Sequence, residues 1–128
     1  MASELQAQAQ RLNLGESVTF SGFVNPIEAM GRSDMIVQLS VWENCSYTLL
    51  DAKAAGLKTV ATAVGGNPEI LGADELVDRQ SATLTQDVLQ VMRQQLQKGE
   101  TEPFTWISNE QMAAQTVDIY TRVLRGGR

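Results

Sequence analysis

The sequence predicts an α/β fold, an open and mostly parallel sheet of about four strands with flanking helices. Two observations carry that prediction. Short apolar runs of strand length alternate with helical stretches. Helix-start and turn residues (Asn25-Pro26, Ser46, Asn67-Pro68) follow these runs, as in strand-to-helix connections. The 128 residues, 43% hydrophobic and 20% charged, suit a single soluble domain over residues 1–128.

Taken in order, Ser3 to Gln6 has capping-box spacing, and Leu5 and Leu12 mark the apolar side of a first helix that Gly15 would stop. Val18 to Gly22 alternates apolar and polar residues and predicts a strand. Asn25-Pro26 predicts a short helix ending near Gly31. Met35 to Leu39 is nearly continuous in apolar character, as in a strand covered on both faces. A helix from about Ser46 to Ala55, closed by Gly56, leads to a strand at Thr59–Ala63. Asn67-Pro68-Glu69 predicts another helix start after the Val64-Gly65-Gly66 turn, and Glu75–Asp78 a short fourth strand. Leu84, Val88, Val91, Met92 and Leu96 share a helical face that ends at Gly99. Ser108 and Gln111 form a capping box before a last helix carrying Ala113, Val117, Tyr120 and Leu124.

Composition removes several kinds of chemistry. The chain has no histidine, which excludes Ser-His-Asp and Cys-His catalysis and histidine metal ligands. One cysteine, Cys45, excludes zinc clusters and intrachain disulfides and fits a cytoplasmic location. No apolar run approaches the ~20 residues of a membrane span, and no signal-peptide core opens the chain. A net charge of −5 without a Lys/Arg cluster argues against nucleic acid as a partner.

In open α/β sheets ligands bind beyond the carboxyl ends of the strands. Three segments reach that edge: Phe23–Asn25, Glu43–Thr48 and Gly65–Asn67. Glu43 closes a strand and can project into the crevice. The helix after it presents unpaired N–H groups around Cys45, Ser46, Tyr47 and Thr48, which favour an anion such as phosphate. Asp51, a turn further in, could accept two hydrogen bonds from a vicinal diol such as a ribose. Gly65 and Gly66 would let the backbone approach a ligand. Plainer roles compete: Thr48 and Asp51 fit a capping box, Glu43 a solvated loop, Gly65-Gly66 a turn feeding a helix, and both Trp42 and Trp106 packing. Spacing alone leaves both sets open. The helix start could also lower the Cys45 pKa and make a reactive thiol, although no histidine is present to act as its base.

Four motifs tip the balance. Glu43 is followed after seven residues by Asp51-Ala52-Lys53-Ala54-Ala55-Gly56, upstream lies VTFSGFV, downstream TVATAVGGNPEIL, and at the end FTWISNEQMAAQTVDIYTRVL. In this order they resemble the C-terminal domain of retaining nucleotide-sugar glycosyltransferases with the two-Rossmann-domain (GT-B) fold. The match is to the group 1 family that includes sucrose synthases and many bacterial and archaeal mannosyl- and glucosyltransferases. The resemblance implies a partial Rossmann-like domain and transfer of a sugar from a nucleotide-diphosphate sugar to a glycan, lipid or small-molecule acceptor, with retention. It implies that Glu43 contacts donor-sugar hydroxyls, that backbone groups of Ser46, Tyr47 and Thr48 hold the diphosphate, that Asp51 holds the ribose, and that Val24 lies near the base. Gly65 and Gly66 complete the nucleotide-sugar site, and neither a cofactor nor a metal is expected. Asp51 stands where the family has glutamate, Lys53 where it has methionine, and Lys58 where proline is common.

The family also carries a separate N-terminal acceptor domain, and an Arg and a Lys clamping the diphosphate, all of which would precede Met1. The isolated chain is therefore expected to be inactive. The same comparison expects Val18–Gly22 to pair beside Met35–Leu39, or a homodimer to form through that exposed strand edge. A non-catalytic nucleotide- or phosphate-binding or oligomerisation module is the alternative reading.

Overall fold

The computed structural model describes residues 2–101 and 103–126. Contacts divide the chain into two compact units, Met1–Arg32 and Ser33–Arg128.

The first unit holds α1 (Ala2–Arg11) and α2 (Pro26–Met30). Ser3 already lies inside α1, so its capping-box spacing with Gln6 does not start the helix. The reversal after α1 falls at Asn13, whose φ of 54° is left-handed, and not at Gly15. Asn25 caps α2 as expected, its Oδ1 accepting from the Ile27 N–H at 2.9 Å, and Gly31 closes it. Val18–Gly22 forms no strand. Val18 and Phe20 remain 38% and 42% exposed, and without a ladder partner an alternating pattern has nothing to pair with.

The second unit is built on three parallel strands, β1 (Met35–Gln38), β2 (Lys58–Thr62) and β3 (Leu76–Val77), in the order β1-β2-β3. Ile36 pairs with Thr59 and Val37 with Val60, while Thr62 pairs with Val77. Between the strands run α3 (Tyr47–Ala54), α4 (Asn67–Ile70) and a 3-10 turn at Ala73–Glu75; α5 (Leu84–Gln97) and α6 (Asn109–Leu124) follow.

β2 is central, and successive side chains point to opposite faces. Ala61 joins Leu49, Ile70 and Leu71 on one side, and Val60 joins Val77 and Val88 on the other. On β1, Ile36 packs against the first cluster and Met35 against the second, but Val37 is 40% exposed, so the face it shares with Met35 is covered only in part. On α5, Val88 is buried, with Leu84, Val91 and Met92 packed beside that cluster, but Leu96 points outward. Gln95 is buried in its stead, donating to the Asp74 carbonyl at 2.7 Å. The Ser108–Gln111 capping box forms in both directions and starts α6, whose apolar residues are exposed. No helix among the described residues is long and apolar enough to cross a membrane.

Candidate functional site

β1 ends at Gln38, and the chain then turns through Ser40 and Glu43 before entering α3. Ser46, and not Thr48, is the α3 N-cap: its Oγ accepts from the Leu49 N–H at 3.2 Å. Two potential caps stand two residues apart, and the chain takes the first, so the Thr48–Asp51 capping box does not form. The N–H groups of Tyr47 and Thr48 have no acceptor among the described residues, as expected for the first two positions of a helix.

Asp51 therefore sits beyond the first turn, where a carboxylate has little capping value. It is exposed and shares a helix face with Tyr47 and Thr48, and its carboxylate has no hydrogen-bond or ion partner among the described residues. Leu49 and Ala52 occupy the opposite, fully buried face. The capping explanation for Asp51 thus falls away, and its carboxylate is open to solvent beside the helix start.

Glu43 is half-buried and fixed. Gln38 Nε2 donates to its Oε2 at 2.6 Å, and the Ser40 hydroxyl donates to the same oxygen at 3.3 Å. Gln38 Oε1 in turn accepts from the Ser46 hydroxyl at 2.8 Å. Thr62 Oγ1, at the end of β2, anchors the loop by donating to the Ser40 carbonyl at 2.7 Å. No cation pairs with Glu43, and its Oε1 has no partner among the described residues.

The Gly65–Gly66 turn lies directly against this loop. A Cβ on Gly65 would run into the Glu43 carbonyl, and one on Gly66 into the Asn44 carbonyl. Gly65 also has a left-handed φ of 51°. The close approach these glycines permit is between two backbone segments. Asn67, expected as a cap, lies inside α4 and is fully buried; its Nδ2 donates to the Thr62 carbonyl at 3.0 Å. Its Oδ1 has no hydrogen-bond partner among the described residues.

Glu43, Ser46, Tyr47, Thr48, Asp51, Gly65 and Gly66 thus come together at the carboxyl edge of the β1–β2 pair. Val24 belongs to the first unit, where it directly precedes the α2 cap. Trp42, expected to pack, is 72% exposed, and Tyr47 is 76% exposed. Cys45 is exposed. Trp106 stacks on Phe104 with ring centroids 6.0 Å apart. Among the described residues, no group of three or more His, Cys, Asp or Glu is placed to hold a metal ion.

Both lysine departures act at the other end of the strands. Lys53 pairs with the buried Glu75 at 2.9 Å, and Lys58 donates to the Gly99 carbonyl. Burial pushes the Glu75 carboxyl up, but hydrogen bonds from Thr59, Lys53 and the Gly72 N–H outweigh it and hold the group below its ordinary value.

Gln38 and Ser40 are the site residues that sequence reasoning missed. Their one signal is a polar residue closing an otherwise apolar strand run.

Against known proteins, the family model described as glycosyl transferases group 1 matches residues 1–116. Comparison with curated proteins and with solved structures found no match.

Proposed function

Because the chain belongs to the group 1 glycosyltransferases, whose members move a glycosyl group from a nucleotide sugar to an acceptor, we propose that the β1–α3 edge is its donor site. Glu43 receives the donor-sugar hydroxyls, the N–H groups at the α3 start receive the diphosphate, and Asp51 receives the ribose. Transfer retains anomeric configuration and uses no metal; the departing nucleotide diphosphate is stabilised electrostatically.

The observation that carries the reading is the pairing of an open helix start with a carboxylate held half-buried at its mouth. An aspartate is one methylene shorter than the family's glutamate, and its ribose contact runs through a closer ligand or one bridging water. The free edge of β1, which carries neither charge nor proline, is where a further strand of the protein or of a second copy would add.

Calorimetric titration with UDP, GDP and ADP tests the reading. Wild type is expected to bind one of them, and Asp51→Ala to bind it about tenfold more weakly, the loss of one or two hydrogen bonds to a charged group. Unchanged affinity in the variant would remove Asp51 from the ribose role. Binding of none of the three would remove the donor-site reading.

A further inference from the structure

We propose that Gln38 is a positioning residue of this site: its side-chain amide ties the Glu43 carboxylate to the N-cap of α3, so that sugar contact and phosphate contact are held in one frame. The inference rests on the donor-site reading above. Its basis is a directional chain of hydrogen bonds. The Leu49 N–H donates to Ser46 Oγ at 3.2 Å, the Ser46 hydroxyl donates to Gln38 Oε1 at 2.8 Å, and Gln38 Nε2 donates to Glu43 Oε2 at 2.6 Å.

Every link has one possible sense. A backbone N–H only donates, and a carboxylate only accepts, so the serine and the amide between them are fixed in orientation. Turning the amide over would set its oxygen against the carboxylate and its NH2 against the Ser46 hydroxyl. That hydroxyl would then face two donors, the Leu49 N–H and the amide. Links in such a chain polarise one another, and the last is charge-assisted and short.

The geometry is also selective. Gln38 Nε2 and Ser40 Oγ both converge on Oε2 and leave Oε1 without a partner among the described residues. One carboxylate oxygen is thereby held and the other presented. A glutamine serving only the sheet could spend its amide on nearby backbone; this one spends both ends on the loop and the helix that form the site.

The test uses Gln38→Met, which keeps length and loses both bonds, and Gln38→Glu, which keeps an acceptor for Ser46 but sets a like charge against Glu43. Thermal unfolding confirms that each variant is folded. UDP-glucose, GDP-mannose and ADP-glucose are titrated against their free diphosphates. Wild type is expected to bind one sugar nucleotide about tenfold tighter than its diphosphate, and both variants to lose that advantage; diphosphate affinity should change by less than about twofold in Gln38→Met, while the added charge of Gln38→Glu beside the α3 start weakens both ligands. In a double-mutant cycle, Gln38→Met with Glu43→Gln is expected to bind no worse than Glu43→Gln alone. An advantage absent from wild type, an advantage that survives in Gln38→Met, equal losses for sugar nucleotide and diphosphate, or additive effects in the cycle would overturn the proposal.

If wild type binds none of these nucleotides, the donor-site reading fails and the positioning role falls with it, whereas nucleotide binding without a sugar advantage, or with one that survives Gln38→Met, overturns the positioning role alone.

Discussion

Two glutamates lie at opposite ends of the same short sheet, and the contrast between them separates holding a fold from offering a site. Glu75, next to the β3 start, is buried and surrounded by donors: the Lys53 ammonium, the Thr59 hydroxyl and the Gly72 N–H together occupy both carboxylate oxygens. Glu43, beyond the β1 end, is half-buried and met only by neutral donors on one oxygen. A carboxylate whose oxygens are both taken has little left for a ligand. One that is steered but half-satisfied does.

The widest separation between the two ends should come from Lys53→Met, which also restores the residue usual in the family. Removing one partner of a buried pair, here 19% and 10% exposed, leaves a carboxylate in a poor environment and should cost about 3 kcal/mol in urea unfolding. Nucleotide affinity, measured on the folded protein, should be unchanged; a parallel loss would mean that the two ends are coupled.

The acid limb of stability comes next. Glu75 titrates below its ordinary value of 4.5 in the folded protein, so its contribution is fully present above that pH and is lost as pH falls through the lower folded-state value. Unfolding followed from pH 6 to 3 should show this loss, and in Lys53→Met the loss should be smaller, because without the ammonium burial opposes ionisation with less compensation and the folded-state value moves back toward the ordinary one.

Ser46→Ala should cost about 1 kcal/mol, the usual value of a helix cap, and should also free the far end of the Gln38 amide. Smallest in stability is Glu43→Gln, which should cost less than about 1 kcal/mol, because an amide oxygen can still accept from Gln38 and no cation among the described residues loses its partner. Its effect should appear in sugar-nucleotide affinity. A large stability loss there would place Glu43 in the same class as Glu75 and end the contrast.

Much of the second unit was legible in the sequence. β2 and α5 follow from apolar period, and Ser108–Gln111 from capping chemistry, because these signals act between near neighbours. The glycosyltransferase resemblance, read from four ordered motifs, agrees with the family match over residues 1–116. Val18–Gly22 misled because alternation describes a surface in need of a neighbour and does not supply one. Thr48 misled because capping-box spacing is blind to a serine two residues earlier that caps first. Gln38 was invisible for a different reason: its partners Glu43 and Ser46 are five and eight residues away and meet it only after the chain has turned. Lys53 looked like a change within the site motif, but its side chain reaches a glutamate 22 positions on, outside any local window.

The contact between the Gly65–Gly66 turn and the carbonyls of Glu43 and Asn44 also bears on mutational tolerance. Side chains at 43 and 44 can be exchanged without disturbing the packing against the turn, since that packing is made by their backbone. Positions 65 and 66 have no comparable freedom, because each has room for a hydrogen and nothing larger. A library built to test the proposed donor site should therefore vary the first loop and leave the second alone. Revertants of a substitution at 65 or 66 should appear as shifts or deletions in the 42–45 backbone more often than as side-chain replacements.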